Sequence, residues 1–397
     1  DGDSSGAELW AFAPTAVLPN LYKLVDTNYA NAHQYYVDGS PVVGDVYDST
    51  NSRWRTVLVG GLNRGGKSYY ALDVTDPANP SLLWEISSTS SGFANLGYTY
   101  GNPIITKVKD PSDSTKWIWS VAFASGYNNI DNGADGNGAL YVVNAMTGAK
   151  LYQVDTNYTD TGGTSTKVGS TSTPSGLAKI NAWITSENNN QAERFYGGDL
   201  LGNLWRFDVN GSVEPKNKAL RLAQLQTSAN STDAQPIQVR PELAEVNYGG
   251  AKYPVVLVGS GRYLGATDLQ DPTDATAAQQ AIYAVKDPMT STGWGPIRGS
   301  SSLVTQTLVT SDDGTTRTIS PIQAVDWTNK IGWTITLPTA KERVAIDMNL
   351  QYNTLGVISH VPTGTACSPS GKSWVYFLNV TTGRSEEHTS ELQSRLH

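Results

Sequence analysis

YGGDLLGNLWRFDV, residues 196–209, runs from a glycine turn into an apolar and aromatic strand that ends at Asp208. The same sentence recurs as GGKSYYALDVTDP (65–77), GNGALYVVNAMTGAK (136–150), QQAIYAVKDPMT (279–290) and SGKSWVYFLNVTTG (370–383). Each copy follows strand-like runs such as PVVGDVY then RTVLVGG, or GNPIITKV then WIWSVAFASG, so the repeating unit is a small meander.

The meanders tend to open at a proline, at Pro41, Pro103, Pro174 and Pro241, separated by 62, 71 and 67 residues. Proline fits the first residue of a strand, where no ladder donor is missed. A period longer than that of helical solenoids, built from short strands and glycine turns, predicts an all-β propeller of six or seven blades with long loops.

The clearest blade is 41–87, with four strands in PVVGDVY, WRTVLVGGL, SYYALDVTD and SLLWEI, and Trp84 as a core or interblade residue. Residues 101–155, 172–209 and 236–286 repeat the plan. Between 287 and 350 the pattern weakens, and WTNKIGWTITLP reads as part of another blade. LGVISHVP and SWVYFLNV close the readable part. In the connector before Asp38-Gly39, Leu18, Leu21, Leu24 and Val25 have helical spacing after Pro19, which predicts a short helix over one propeller face. Strand alternation at the doublets Tyr35-Tyr36 and Tyr69-Tyr70 would send one ring of each outward.

The ends read differently. DGDSSGAELWAF looks like the end of one blade strand, its turn and the next strand, so the propeller, taken as 1–383, is expected to be a fragment truncated at both ends. RSEEHTSELQSRLH, 384–397, has neither the strand period nor the composition of what precedes it; it resembles translated sequencing-adapter read-through, a non-native tail able at most to form a short helix capped by Ser385.

Net charge is −8 and the isoelectric point about 5.1, against a basic groove that tracks nucleic-acid phosphates. No apolar run reaches the roughly 20 residues that a membrane-crossing helix needs. One cysteine, Cys367, excludes an internal disulfide and a multi-cysteine metal site. There is no nucleophile elbow, no histidine-rich ligand set and no phosphate loop; His33 and His360 read as structural. Asp73 and Asp208 end repeated strands, which suits turn bonding to backbone amides better than acid/base work. Asp131, Asp135 and Asn137 in DNGADGNG suit a turn or a metal.

ELWAF, YYVDGSPVVGDVY, RTVLVGGLNRGGKSYYALDVTDP, LGYTYGNPII, ASGYNN, ALYVVNAMTG, YGGDLLGNLWRFDV, GSGRYLG and ERV, in this order, resemble the β-propeller of the PilC/PilY family of type IV pilus biogenesis factors and tip-associated adhesins. The resemblance covers nearly all of 1–383 and implies a non-enzymatic protein of the cell surface, at the pilus tip or outer membrane, exported through the periplasm. It implies support of pilus extension against retraction, surface attachment and twitching motility. The implied partners are pilins or minor pilins, with a host or abiotic surface reached through an N-terminal adhesive region not in this chain.

The resemblance also implies an acidic calcium loop before the YGGD strand. Its ligand positions fall on Thr185, Glu187, Asn189, Gln191 through its carbonyl, and Glu193, with Asn190 where the family's turn glycine stands. With two carboxylates among five, calcium is expected to be weakly bound or lost. The rival readings are a quinoprotein dehydrogenase, suggested by ALDVTDP and VNAMTG but lacking a vicinal cysteine pair, and a scaffold propeller of envelope assembly.

Overall fold

In all five quoted sentences the apolar run forms the third strand of its sheet. The computed structural model describes residues 6–159, 164–186, 188–227, 233–265, 268, 279–365 and 368–385. The chain divides into two units, 1–155 with 169–178 and 184–192, and 156–168 with 179–183 and 193–397.

The first unit holds two four-stranded antiparallel meanders. One is β1 (Val42–Asp48), β2 (Arg53–Gly61), β3 (Ser68–Asp73) and β4 (Ser81–Ser87). The next is β5 (Ile104–Asp110), β6 (Asp113–Ala124), β7 (Ala139–Asn144) and β8 (Lys150–Asp155). Pro41 and Pro103 stand just before β1 and β5, as the spacing predicts.

The second unit opens with the hairpin β9 (Asn157–Thr159) and β10 (Ser165–Lys167). A third four-stranded sheet follows: β11 (Ile180–Ile184), β12 (Ala192–Gly198), β13 (Asn203–Phe207) and β14 (Ala219–Gln224). Here Pro174 stands six residues ahead of its strand.

The fourth sheet starts with β15 (Glu242–Tyr248), β16 (Ala251–Gly259) and β17 (Ala281–Lys286). An insertion follows, with β18 (Leu303–Gln306) and the hairpin β19 (Leu308–Thr310) and β20 (Arg317–Ile319). β21 (Gly332–Thr336) then returns to pair antiparallel with β17, while β18 lies parallel along its other side. WTNKIGWTITLP therefore completes the β15–β17 sheet instead of joining another blade. Its partner strand lies across some 45 residues of intervening chain, too far for a local pattern to reveal.

The last sheet is β22 (Asn349–Gln351), β23 (Thr354–Thr365) and β24 (Ser368–Asn379). At its end Ser385 bridges antiparallel to Leu378. Residues 386–397, most of the predicted tail, lie outside the described residues, as does Cys367.

One turn closes every third strand. An Asp or Asn side chain at the strand end accepts a backbone N–H two to four residues on: Thr75 to Asp73 at 3.0 Å, Met146 to Asn144 at 2.9 Å, Ser212 to Asp208 at 3.1 Å, Met289 to Asp287 at 2.8 Å and Thr382 to Asn379 at 3.0 Å. The aspartates of the repeat are turn-formers, which is why they recur.

Tryptophans latch neighbouring sheets onto these turns. In the first unit the buried Trp84 of β4 donates its indole N–H to the Ala145 carbonyl at 2.9 Å, and Trp10 does the same to Pro77 at 2.8 Å. In the second unit Trp333 of β21 donates to the Val380 carbonyl at 2.7 Å. Gly148 and Gly383, both at φ +68°, let the rings approach: a Cβ there would stand 2.8 Å from Trp84 Cγ and 2.7 Å from Trp333 Cδ2. Burial of such a ring contributes roughly 1.5–3 kcal/mol.

The connector is a 3₁₀ segment, Thr15–Val25, with Pro19 inside it. Its Val17 and Leu21 pack with Leu58, Tyr70 and Leu72 on one face of the first sheet, whereas Leu18, Leu24 and Val25 stay exposed. The predicted helix thus covers a sheet face with a narrower stripe than its leucine spacing suggests. Tyr69 and Tyr70 are both buried, contrary to the alternation argument, because β3 is covered on both sides: Tyr69 joins the core with Phe123, and Tyr70 lies under Phe12.

Candidate functional site

The loop before the YGGD strand keeps a turn while its oxygen donors are engaged with one another. Asn190 takes φ +49°, the left-handed conformation that the glycine of the motif would supply and that Asn tolerates better than most residues. Its carbonyl accepts the Lys107 N–H at 2.8 Å and the Thr106 hydroxyl at 2.9 Å, tying the loop to β5 within the first unit. Asn189 Nδ2 donates to Gln191 Oε1 at 3.1 Å, and Gln191 N–H donates back to Asn189 Oδ1 at 3.1 Å.

Glu193, in the second unit, pairs with Arg194 Nη1 at 2.9 Å. Thr185 stands at the bend after β11, and Glu187 lies outside the described residues. Among the described positions, the side-chain oxygens of Asn189 and Gln191 accept hydrogen bonds from within the loop, and the Glu193 carboxylate lies against Arg194.

The second acidic stretch is turn chemistry. Asp131 pairs with Lys67 Nζ at 2.6 Å. Asp135 Oδ1 accepts Asn95 Nδ2 at 2.9 Å and the Asn137 N–H at 3.0 Å. The His33 ring lies tilted against Tyr29 and edge-on to Tyr35, and His360 Nδ1 lies 2.9 Å from the Ser373 hydroxyl on the paired strand. Burial holds the His360 imidazole below its ordinary pKa.

The YGGD aspartate has an unusual environment. Asp199 is fully buried, and its carboxylate accepts the N–H groups of Leu201 at 3.0 Å and Asn203 at 2.8 Å, the Asn203 amide at 3.0 Å and the Trp205 indole at 2.8 Å. It knits the β12–β13 turn. Burial pushes its pKa up to about 6, against the opposing pull of those donors.

A carboxyl whose folded pKa lies above its unfolded 3.8 stabilises the fold below about pH 4 and loses that contribution as pH rises through about 6. The stability difference between the native chain and Asp199→Asn, read by urea unfolding, is therefore expected to fall by about 2–3 kcal/mol from pH 4 to pH 7. A difference that stays level or grows over that range would contradict this assignment.

Two buried ion networks escape a reading by repeats. In one, Asp287 accepts from Arg206, from the Tyr196 hydroxyl at 2.6 Å and from the Met289 N–H, and Arg194 Nε donates to the same tyrosine at 2.7 Å. In the other, Glu342 holds Arg317, Ser359 and Tyr376. A lone Arg inside the apolar strand NLWRF was the available signal, since a buried charge needs a partner.

A family model described as the PilY1 beta-propeller domain matches residues 11–318. The type IV pilus biogenesis factor PilY1 of Pseudomonas aeruginosa is 31% identical over 421 residues, covering 96% of this chain and 33% of the relative. A PilY1 homolog of Xylella fastidiosa is 33% identical over 391 residues, covering 96% of this chain and 28% of its own length. The crystal structure of the Pseudomonas aeruginosa PilY1 C-terminal domain aligns with a TM-score of 0.67 at 27% identity, over 96% of this chain and 76% of that one. The chain spans about a third of the length of the curated relatives it matches. The fold is an all-β propeller; three of its described sheets are four-stranded antiparallel meanders, the β15–β21 sheet has five strands and the last has three.

Proposed function

Because this chain belongs to the PilY1 β-propeller family, we propose that it is the propeller portion of a type IV pilus biogenesis factor, acting at the cell surface by contact with pilus subunits and not by catalysis. The observation that carries this reading is the family match, which runs through the first three four-stranded sheets and β15–β19 beyond them. A non-enzymatic role is supported by where the repeated carboxylates go: Asp73, Asp208 and Asp287 hold turn amides, and Asp287 also holds a buried arginine. The same reading extends to pilus extension against retraction, surface attachment and twitching motility.

The purified chain, immobilised and exposed to purified major pilin and to minor pilins of a related bacterium, is expected to bind at least one of them. Absence of binding to every pilin, together with dye reduction by quinone-loaded protein, would move the assignment to the quinoprotein alternative.

Calcium binding at the 185–193 loop is proposed to be weak, with a dissociation constant of about 10⁻⁴–10⁻³ M or no binding at all, because two side-chain amides satisfy each other and Glu193 is held by Arg194. Titration calorimetry checks this directly. Submicromolar binding that disappears in Glu193→Ala would contradict it.

A further inference from the structure

Asn-Gly pairs occur at Asn132-Gly133, Asn137-Gly138 and Asn210-Gly211, and the fold holds them differently. The first lies in the long connection between β6 and β7. Asn132 has φ +55° and Gly133 φ +81°, and the Ala134 N–H closes on the Asp131 carbonyl at 3.0 Å, as in a type I′ turn. Asn132 and Gly133 are both exposed, and a Cβ built at Gly133 would meet nothing within 4 Å. The Asn132 side chain is tethered by one exposed bond among the described residues, from Nδ2 to the Ser88 hydroxyl at 3.2 Å.

The other two pairs are locked. Asn137 is 1% exposed; its N–H donates to Asp135 Oδ1 at 3.0 Å and its carbonyl accepts Asn129 Nδ2 at 2.7 Å. Two residues on, Ala139 is already in β7 with its N–H on the Ser125 hydroxyl at 3.1 Å. Asn210 is buried and donates Nδ2 to the Glu193 carbonyl at 3.3 Å. Around it the turn is closed by Asp208, which accepts the Ser212 N–H at 3.1 Å and the Asn217 N–H at 2.7 Å.

We propose that Asn132 is a site of spontaneous deamidation, with solvent water as the co-reactant. The Gly133 amide nitrogen gives its proton to a solvent base and attacks the Asn132 side-chain carbonyl carbon. The new C–N bond closes a succinimide ring, and the side-chain nitrogen takes up a proton and leaves as ammonia. Water then adds to either imide carbonyl and breaks its C–N bond, leaving aspartate or isoaspartate. One water is consumed and one ammonia released, with no change of oxidation state. Glycine at 133 places no side chain beside the attacking nitrogen.

For that nitrogen to reach the carbon the turn must open, and openings at exposed loop tips cost least. At Asn132 the bonds to break are the Ser88 tether and the turn closure; at Asn137 they include buried ones. Each extra bond lowers the open population severalfold, so Asn132 is expected to convert at least about tenfold faster than Asn137. The product sets a new carboxylate beside Asp131, whose ion pair with Lys67 ties this loop to the β2–β3 connection. Isoaspartate also lengthens the backbone within the turn.

The site is independent of the pilin-binding reading, and its test uses the purified chain. The chain is incubated in mildly alkaline buffer, folded or in urea, and digested with trypsin. Asn132 and Asn137 share the peptide 117–150, so fragment-ion spectra assign the mass gain of amide-to-acid exchange to one or the other. In the folded chain the gain is expected first at Asn132, with an isoaspartate fraction and a slower rate in mildly acidic buffer. In urea the three pairs should converge. Three results would overturn the proposal: no gain at Asn132 of the folded chain while the urea-unfolded chain converts there, Asn137 or Asn210 converting as fast as Asn132 in the folded chain, or the same ranking with and without urea.

Discussion

Replacing Glu342 with glutamine is expected to destabilise the chain by about 3–5 kcal/mol, the cost of removing one partner from a buried ion pair. Glu342 is 1% exposed and receives Arg317 Nη1 at 2.8 and 2.9 Å, the Tyr376 hydroxyl at 2.7 Å and the Ser359 hydroxyl at 2.5 Å. The Arg317 guanidinium is as deeply placed, with Tyr376 and Thr339 as further acceptors and its carbon 3.7 Å from the Trp374 centroid.

Glutamine preserves the shape but removes the carboxylate charge from beside that cation and turns an N–H₂ toward other donors. Equilibrium urea unfolding should show a lower midpoint with an unchanged slope. Replacing Arg317 and Glu342 together with apolar residues of similar volume should recover much of the loss, because the penalty comes from removing only one charge of a buried pair. A Glu342→Gln variant within about 0.5 kcal/mol of the native chain would show that the network is not holding the fold.

Trp333→Ala is expected to cost a comparable 3–5 kcal/mol, combining lost burial with the cavity left behind. The ring is fully buried, donates its N–H to Val380, and lies on Gly383 at the turn of the last sheet. Its removal opens a void and leaves the Val380 carbonyl without this donor. Trp333→Phe should fall between the two, keeping most of the volume and losing the hydrogen bond. Thermal unfolding of the three proteins gives the order; equal midpoints for Trp333→Ala and the native chain would sink the latch.

These positions also show what could be read from the sequence. The third strands were legible because the Asp or Asn at each end must take a backbone amide, and that local need recurs wherever the meander does. Trp84 was legible only as a core or interblade residue; that its indole reaches the Ala145 turn depends on the packing of the two sheets. β21 was misplaced because its pairing with β17 spans an insertion, and the parallel β18 has no counterpart in the other sheets. Tyr69 and Tyr70 defeated the alternation rule because two different cores cover the two faces of β3. At the calcium-like loop the turn could be foreseen, but not the mutual hydrogen bonds of Asn189 and Gln191, which depend on side-chain geometry. Arg206 and Arg317 were passed over because their partners, Asp287 and Glu342, are 81 and 25 residues away.

The central claim is that this propeller supplies a pilus biogenesis function by contact. Its most direct test is the amount of surface pilin sheared from a bacterium whose own PilY1-type factor has been deleted and replaced by a hybrid carrying this chain as its propeller. Piliation restored toward the level of the intact factor is the predicted result. A hybrid exported in equal amount that leaves the cells bald, whether or not pilus retraction is also disabled, would contradict it.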